Sequence, residues 1–121
     1  MGLTFYLPKL SGTELTMLRK LTSHMLLKAH EAGGQCVLNE WLFARLTEEA
    51  DRREALELGD EIPEVQVLEL PNWSDRRIGE ALKACHTLTY LKLTPAQGQL
   101  IDEVDLELML AAKRRLCEAN R

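Results

Sequence analysis

Histidine and cysteine are the side chains that would bind a metal ion or supply a base and a nucleophile near neutral pH. His24, His30 and Cys36 are spaced by six residues, which places successive members on different sides of a helix. Cys85 and His86 are adjacent and would point about 100° apart on a helix. The sequence has no C-x-x-C or H-x-x-x-H pair. We therefore expect no metal site and no cofactor.

Catalytic motifs are also missing from the sequence. It has no G-x-S-x-G nucleophile motif and no glycine-rich loop that would hold a phosphate. Gly33 and Gly34 follow an amphipathic segment, a position at which glycine ends a helix without a Cβ clash. We therefore predict no catalytic residue and a protein that is not an enzyme. An active site assembled from residues far apart in the chain stays open at this stage.

The strongest chemical feature is an acidic run between residues 48 and 64. It holds eight carboxylates against two basic residues, Arg52 and Arg53. The carboxylates belong to Glu48, Glu49, Asp51, Glu54, Glu57, Asp60, Glu61 and Glu64. Such a run, beside the apolar connector 62–68, is typical of a surface that docks on a basic partner. The alternative interpretation is an ordinary charged helix and loop that keep a small protein in solution.

The acidic run predicts a non-enzymatic macromolecular binding protein. It would be a small acidic inhibitor or adaptor that docks on a protein or nucleoprotein complex with a basic surface. An acidic domain mimics a phosphate backbone or blocks a basic groove. A mobile-element protein that obstructs a nucleic-acid-binding complex is the concrete form of this hypothesis.

Basic side chains on one predicted helix support an alternative function. Arg76, Arg77 and Lys83 lie on its outward side, and Lys92 follows in a predicted strand. Side chains of this kind contact phosphates and base edges. Residues 91–96 look like the end of the wing in some winged-helix regulators. The alternative is therefore a dimeric, winged-helix-type DNA-binding transcriptional regulator. Glu80 interrupts the basic patch, however, and a solvated helix face is the favoured interpretation of these side chains.

Size and composition predict one domain over residues 1–121. A chain of 121 residues can bury a single modest core. Apolar residues make up 45% of the chain, charged residues 28% and aromatic residues only 5%, so the core must consist mainly of Leu, Ala, Val and Met. The net charge of −4 argues against non-specific coating of nucleic acid.

The cysteines and the apolar runs indicate a cytoplasmic protein without a membrane partner. The three cysteines are an odd number without the spacing of a disulfide framework. Cys36, Cys85 and Cys117 each have apolar neighbours and are expected to pack as small core side chains. The longest apolar runs are far shorter than a membrane span, and the N-terminus lacks the pattern of a signal peptide.

Hydrophobic spacing predicts a mainly α fold, a compact domain of about four helices with at most a small β-hairpin, in which a winged-helix-like arrangement is possible. A Ser11–Glu14 capping box begins the first helix, and Gly33-Gly34 ends it. Asn39 is the expected N-cap of the second helix, which ends at Gly59. Ser74 is the expected N-cap of the third helix, which contains Gly79 at a position that suggests close approach of another backbone.

The end of the chain allows two interpretations. Residues 87–93 alternate and are partly β-branched or aromatic, which favours a short strand. Thr94 and Pro95 then fit the start of a helix over about 95–118, while a hairpin over 99–107 stays open. The predicted core consists of Leu15, Leu18, Met25, Trp41, Leu42, Leu46, Trp73, Ile78, Leu82, Leu93, Val104 and Leu108.

Overall fold

A computed structural model describes residues 7–34, 36–59 and 68–119. These residues form a short 3₁₀ helix and four α-helices, and no β-strand. The 3₁₀ helix is Leu7–Lys9, and the α-helices are α1 (Gly12–Glu31), α2 (Val37–Leu58), α3 (Asp75–Thr89) and α4 (Pro95–Ala119). The prediction of a mainly α fold with about four helices is confirmed. The described part of the chain contains no hairpin over 99–107 and no wing.

The four helices form two hairpins that pack on each other. α1 packs on α2 and α3 packs on α4, each across a short connection that makes the two helices antiparallel. Arg115 near the end of α4 accordingly donates to Asp75 at the start of α3, over 3.1 Å. α2 contacts α3 and joins the hairpins, and the rings of Trp41 and Trp73 meet edge to face at 6.3 Å between their centroids.

Three of the expected helix-end signals, at Ser11, Ser74 and Gly59, are confirmed. The Ser11 hydroxyl accepts from the Glu14 amide at 3.1 Å, and the Glu14 carboxylate accepts from the Ser11 amide at 3.0 Å. Ser74 caps α3 by accepting from the Arg77 amide. Gly59 ends α2 with a φ of 74°, a left-handed conformation that favours glycine.

The start of α4 is tied to the start of α1. Thr94 and Gln97 cap α4 reciprocally. The Thr94 amide donates to the Gln97 side-chain oxygen at 3.0 Å, and the Gln97 amide donates to the Thr94 hydroxyl at 3.3 Å. The Thr94 hydroxyl also donates to the Glu14 carboxylate, and the Gln97 amide group donates to the Glu14 carbonyl at 2.9 Å. These bonds fix the first turn of α1 against the first turn of α4.

The prediction of Asn39 as N-cap is wrong. α2 begins at Val37, and Asn39 lies buried within its first turn, where its side-chain amide donates to Cys36 Sγ at 2.8 Å. Val37 and Leu38, which precede the expected cap, are both buried. Their packing in the core therefore starts the helix before Asn39.

The predicted strand over 87–93 is also wrong. α3 continues to Thr89, because Leu88 is fully buried one helical turn after the buried Cys85. The hydroxyls of Thr87 and Thr89 donate to backbone carbonyls of the preceding turn. Packing of the neighbouring residues in a helix thus outweighs the preference of these threonines for a β-strand.

The predicted core is largely confirmed. Nine of its twelve members are buried, and Met25, Leu82 and Leu93 pack against it from partly buried positions. Cys85 is a core residue, whereas Cys117 is exposed, against expectation. A Cβ added at Gly79 would meet no atom within 4 Å, so the expected close approach of another backbone there is wrong.

Candidate functional site

The outward side of α2 carries the acidic residues that the structure brings together. Asp51, Glu54 and Glu57 are exposed, and Glu48 joins them from an exposed position one turn earlier. Successive members are three residues apart, so they wind around the exposed half of the helix; we call these four residues the acidic face. Asp60, Glu61 and Glu64, the other expected contributors, lie outside the described residues.

Glu49 does not belong to the acidic face. Its side chain is only 3% exposed and accepts from Arg52 Nε at 2.6 Å and lies 3.4 Å from Arg53 Nε. A carboxylate with so little contact with water needs such cationic partners. We expected Glu49 to contact a partner. That expectation is corrected, because its carboxylate is buried against Arg52 and Arg53 of the same helix.

Both arginines of the acidic run point toward the interior. Arg53 donates to the carbonyls of Leu10 at 2.6 Å and Leu7 at 3.4 Å, which holds the 3₁₀ helix on α2. The side chains of Arg52 and Arg53 are only 18% and 24% exposed. Both arginines contact the carboxylate of Glu49, and Arg53 also contacts the two backbone carbonyls.

The acidic face has little internal compensation. Arg45 pairs with Glu48 at 2.8 Å. Among the described residues, no ion pair involves Asp51, Glu54 or Glu57. These three carboxylates therefore project a negative field into solvent.

An exposed leucine adjoins these carboxylates. Leu58 is 69% exposed and lies four residues after Glu54 and seven after Asp51, which puts it on the same side of α2. Leu56 is also 54% exposed, but it lies about 160° around the helix from Leu58. The end of α2 thus combines negative charge with apolar surface.

The basic residues of the alternative function are exposed but less concentrated. Arg76 and Lys83 share one side of α3 with Glu80 between them, and Arg76 lies 3.4 Å from the Glu80 carboxylate. Arg77 is rotated about 100° from Arg76 around the helix, and Lys92 lies in the connection between α3 and α4.

The adjacent thiol of Cys85 and imidazole of His86 have different surroundings. Burial raises the pKa of the Cys85 thiol to about 12, with smaller contributions from the negative charges of Asp105 and Asp102, so this thiol is neutral. The neighbouring His86 instead packs edge to face on Tyr90, with 5.0 Å between ring centroids. No group of three His, Cys, Asp or Glu in the described ranges could hold a metal ion.

Sequence reasoning missed a second surface, on α4. Leu106, Met109, Leu110 and Leu116 are 55%, 52%, 41% and 66% exposed. The sequence indicates this surface by a second apolar stripe on the helix. That stripe lies on a different side from Val104 and Leu108, which pack in the core.

The chain matches no protein-family model, no curated protein and no solved structure at a significant level. Within the described residues, no helix has the length and apolar character needed to cross a membrane. The chemistry of the chain's own surfaces is therefore the basis for a functional proposal.

Proposed function

We propose that this chain is a non-enzymatic binding protein, a small acidic inhibitor or adaptor that docks on a basic surface of a protein or nucleoprotein complex. The carrying observation is that Asp51, Glu54 and Glu57 are exposed and form no ion pair among the described residues, while Arg52 and Arg53 both contact the buried Glu49. The outward surface of α2 is thus more acidic than the residue count suggests.

Electrostatics supports a basic partner. Carboxylates that lie on one rigid helix add their fields, which increases the association rate with a positive surface and opposes acidic partners. Because the charges are solvent-exposed, the association should weaken as salt concentration rises.

The apolar end of α2 supports docking rather than a loose electrostatic encounter. Protein interfaces combine a desolvated apolar centre with a polar rim. Leu58 supplies an apolar contact beside Glu54, and Glu57 and Asp51 extend the charged rim. An approaching basic side chain would therefore meet carboxylates while its apolar neighbours cover Leu58.

The DNA-binding alternative has weaker support from the surface of α3. Glu80 lies between Arg76 and Lys83 and pairs with Arg76, so this side carries two cations and one anion. A phosphate backbone would meet that carboxylate at close range.

Charge reversal distinguishes the two surfaces. The unchanged chain is tagged and captured, with the proteins bound to it, from cells that produce it. A tagged variant with Asp51→Lys, Glu54→Lys and Glu57→Lys should no longer capture the principal basic protein that the unchanged chain captures. A matched variant with Arg76→Glu and Arg77→Glu should retain that partner, since these side chains are equally accessible but lie on α3. Quantitative mass spectrometry of the captured proteins measures both outcomes.

The proposal is contradicted if the triple variant folds and captures the same partners in the same amounts as the unchanged protein. Loss of partners only in the α3 variant would favour the DNA-binding alternative. Circular dichroism of each variant establishes that the helices are retained.

A further inference from the structure

α4 carries two apolar faces, and only one of them is used within the described fold. Leu100, Ile101, Val104 and Leu108 have no exposed surface and form the core side of the helix. Leu106, Met109, Leu110 and Leu116 lie on the opposite side and expose between 41% and 66% of their surface.

The exposed face has the spacing of a helix-pairing seam. Asp102, Leu106, Met109, Lys113 and Leu116 follow one another at alternating intervals of four and three residues. This interval keeps one stripe of a helix against a second helix along its length. The stripe extends over 102–116, about 21 Å at the rise of an α-helix.

The charges along the seam favour a particular orientation. Asp102 lies toward the start of α4 and Lys113 toward its end, and both are exposed. A parallel copy would place Asp102 against Asp102 and Lys113 against Lys113, which is repulsive. An antiparallel copy, in the register that places Leu106 against Met109, places Asp102 against Lys113, and the two-fold axis repeats each contact.

We propose that the exposed face of α4 binds a second copy of this chain, with the two α4 helices antiparallel. Leu106 of each copy packs on Met109 of the other, and Asp102 of each copy pairs with Lys113 of the other. Leu110 and Leu116 flank this contact and lose solvent exposure. The surface lies on α4 and is independent of the acidic face of α2.

Sedimentation velocity of the full chain, from about 1 μM to about 1 mM, covers the range in which pairings of this size dissociate. The chain should shift with concentration from the mass of one copy, 13.8 kDa, to twice that mass. Leu106→Glu with Met109→Glu should abolish the shift. The matched control is Leu27→Glu with Met17→Glu, which changes a leucine and a methionine of α1 with similar exposure, 57% and 60%, and should leave it intact.

The orientation is tested by exchanging the charges. Asp102→Lys alone or Lys113→Asp alone should weaken the dimer about tenfold at low salt, since each places like charges together twice. The double variant with both changes should restore the affinity, because the antiparallel pairs re-form with reversed sign. A parallel dimer would not be weakened by either single change in this way, since it already pairs like charges.

A chain that stays at the mass of one copy throughout the concentration range would overturn the proposal. Equal loss of the dimer in the α1 control would overturn the assignment to α4. Failure of the double variant to recover would overturn the antiparallel register. All substituted residues are exposed, and circular dichroism checks that each variant retains its helices.

Discussion

Glu48 and Glu49 are neighbouring carboxylates with different roles. Glu48 is exposed and pairs with Arg45 across one turn, whereas Glu49 lies in the interior between Arg52 and Arg53. An exposed pair contributes little to stability, while a buried carboxylate holds its cations in place. The difference follows from their positions on α2, since Glu49 is on the side that faces the 3₁₀ helix.

Glu49→Ala should reduce the free energy of unfolding by about 2 to 4 kcal/mol, because it removes a buried carboxylate that contacts two partly buried guanidinium groups. Glu48→Ala, the matched control, should change it by less than about 0.5 kcal/mol. Urea denaturation followed by circular dichroism measures both values. Equal effects of the two changes would show that Glu49 is not an interior anchor.

The cysteines should differ sharply in reactivity. Burial raises the pKa of Cys85 to about 12 and also shields its side chain from solvent, so its thiol stays protonated and inaccessible at pH 8. Cys117 is exposed and should react first with a thiol-specific reagent in the native protein. Mass spectrometry of peptides after brief alkylation measures the order. Early modification of Cys85 in folded protein would contradict its place in the core.

At the scale of elements, the joint between α1 and α4 includes one carboxylate, that of Glu14. The pKa of Glu14 is lowered, chiefly by the hydrogen bond from the Thr94 hydroxyl and next by the Ser11 amide. A lowered folded-state pKa means that the ionised form stabilises the fold. This contribution is present above the unfolded-state pKa of Glu and is lost as pH falls through the lower folded-state value.

Glu14→Gln should therefore lower the Tm at pH 7, and the difference from the unchanged protein should shrink as pH falls into the acid range. Glutamine retains a capping oxygen, so the change removes mainly the charge. Thermal unfolding at a series of pH values measures this difference. A difference that is constant with pH would show that the Glu14 charge does not contribute.

The helices could be predicted where local signals and packing agree. The Ser11 and Ser74 caps, Gly59 and the start of α4 at Pro95 all correspond to sequence patterns that act over a few residues. The errors at 39 and 87–93 lie where packing of Val37 and Leu88 overrides the local preference of neighbouring residues. Such packing depends on residues distant in the chain.

At the scale of the whole molecule, the proposed docking depends more on where the charged side chains lie than on the net charge of −4. The acidic run was visible in the sequence, but which of its charges are buried was not. That depends on contacts between distant residues, such as those of Arg53 with the carbonyls of Leu7 and Leu10. The structure thus concentrates uncompensated carboxylates on one side of α2. We interpret that side as the docking surface.

The most direct test of this interpretation is site-specific photo-crosslinking in cells that produce the chain. A photoreactive amino acid replaces Leu58 on α2 or, as control, Met17 on α1, two exposed apolar positions on different helices. The account predicts that position 58 crosslinks a protein with a basic surface and that position 17 does not. Crosslinking of that protein from position 17 but not from position 58 would contradict it.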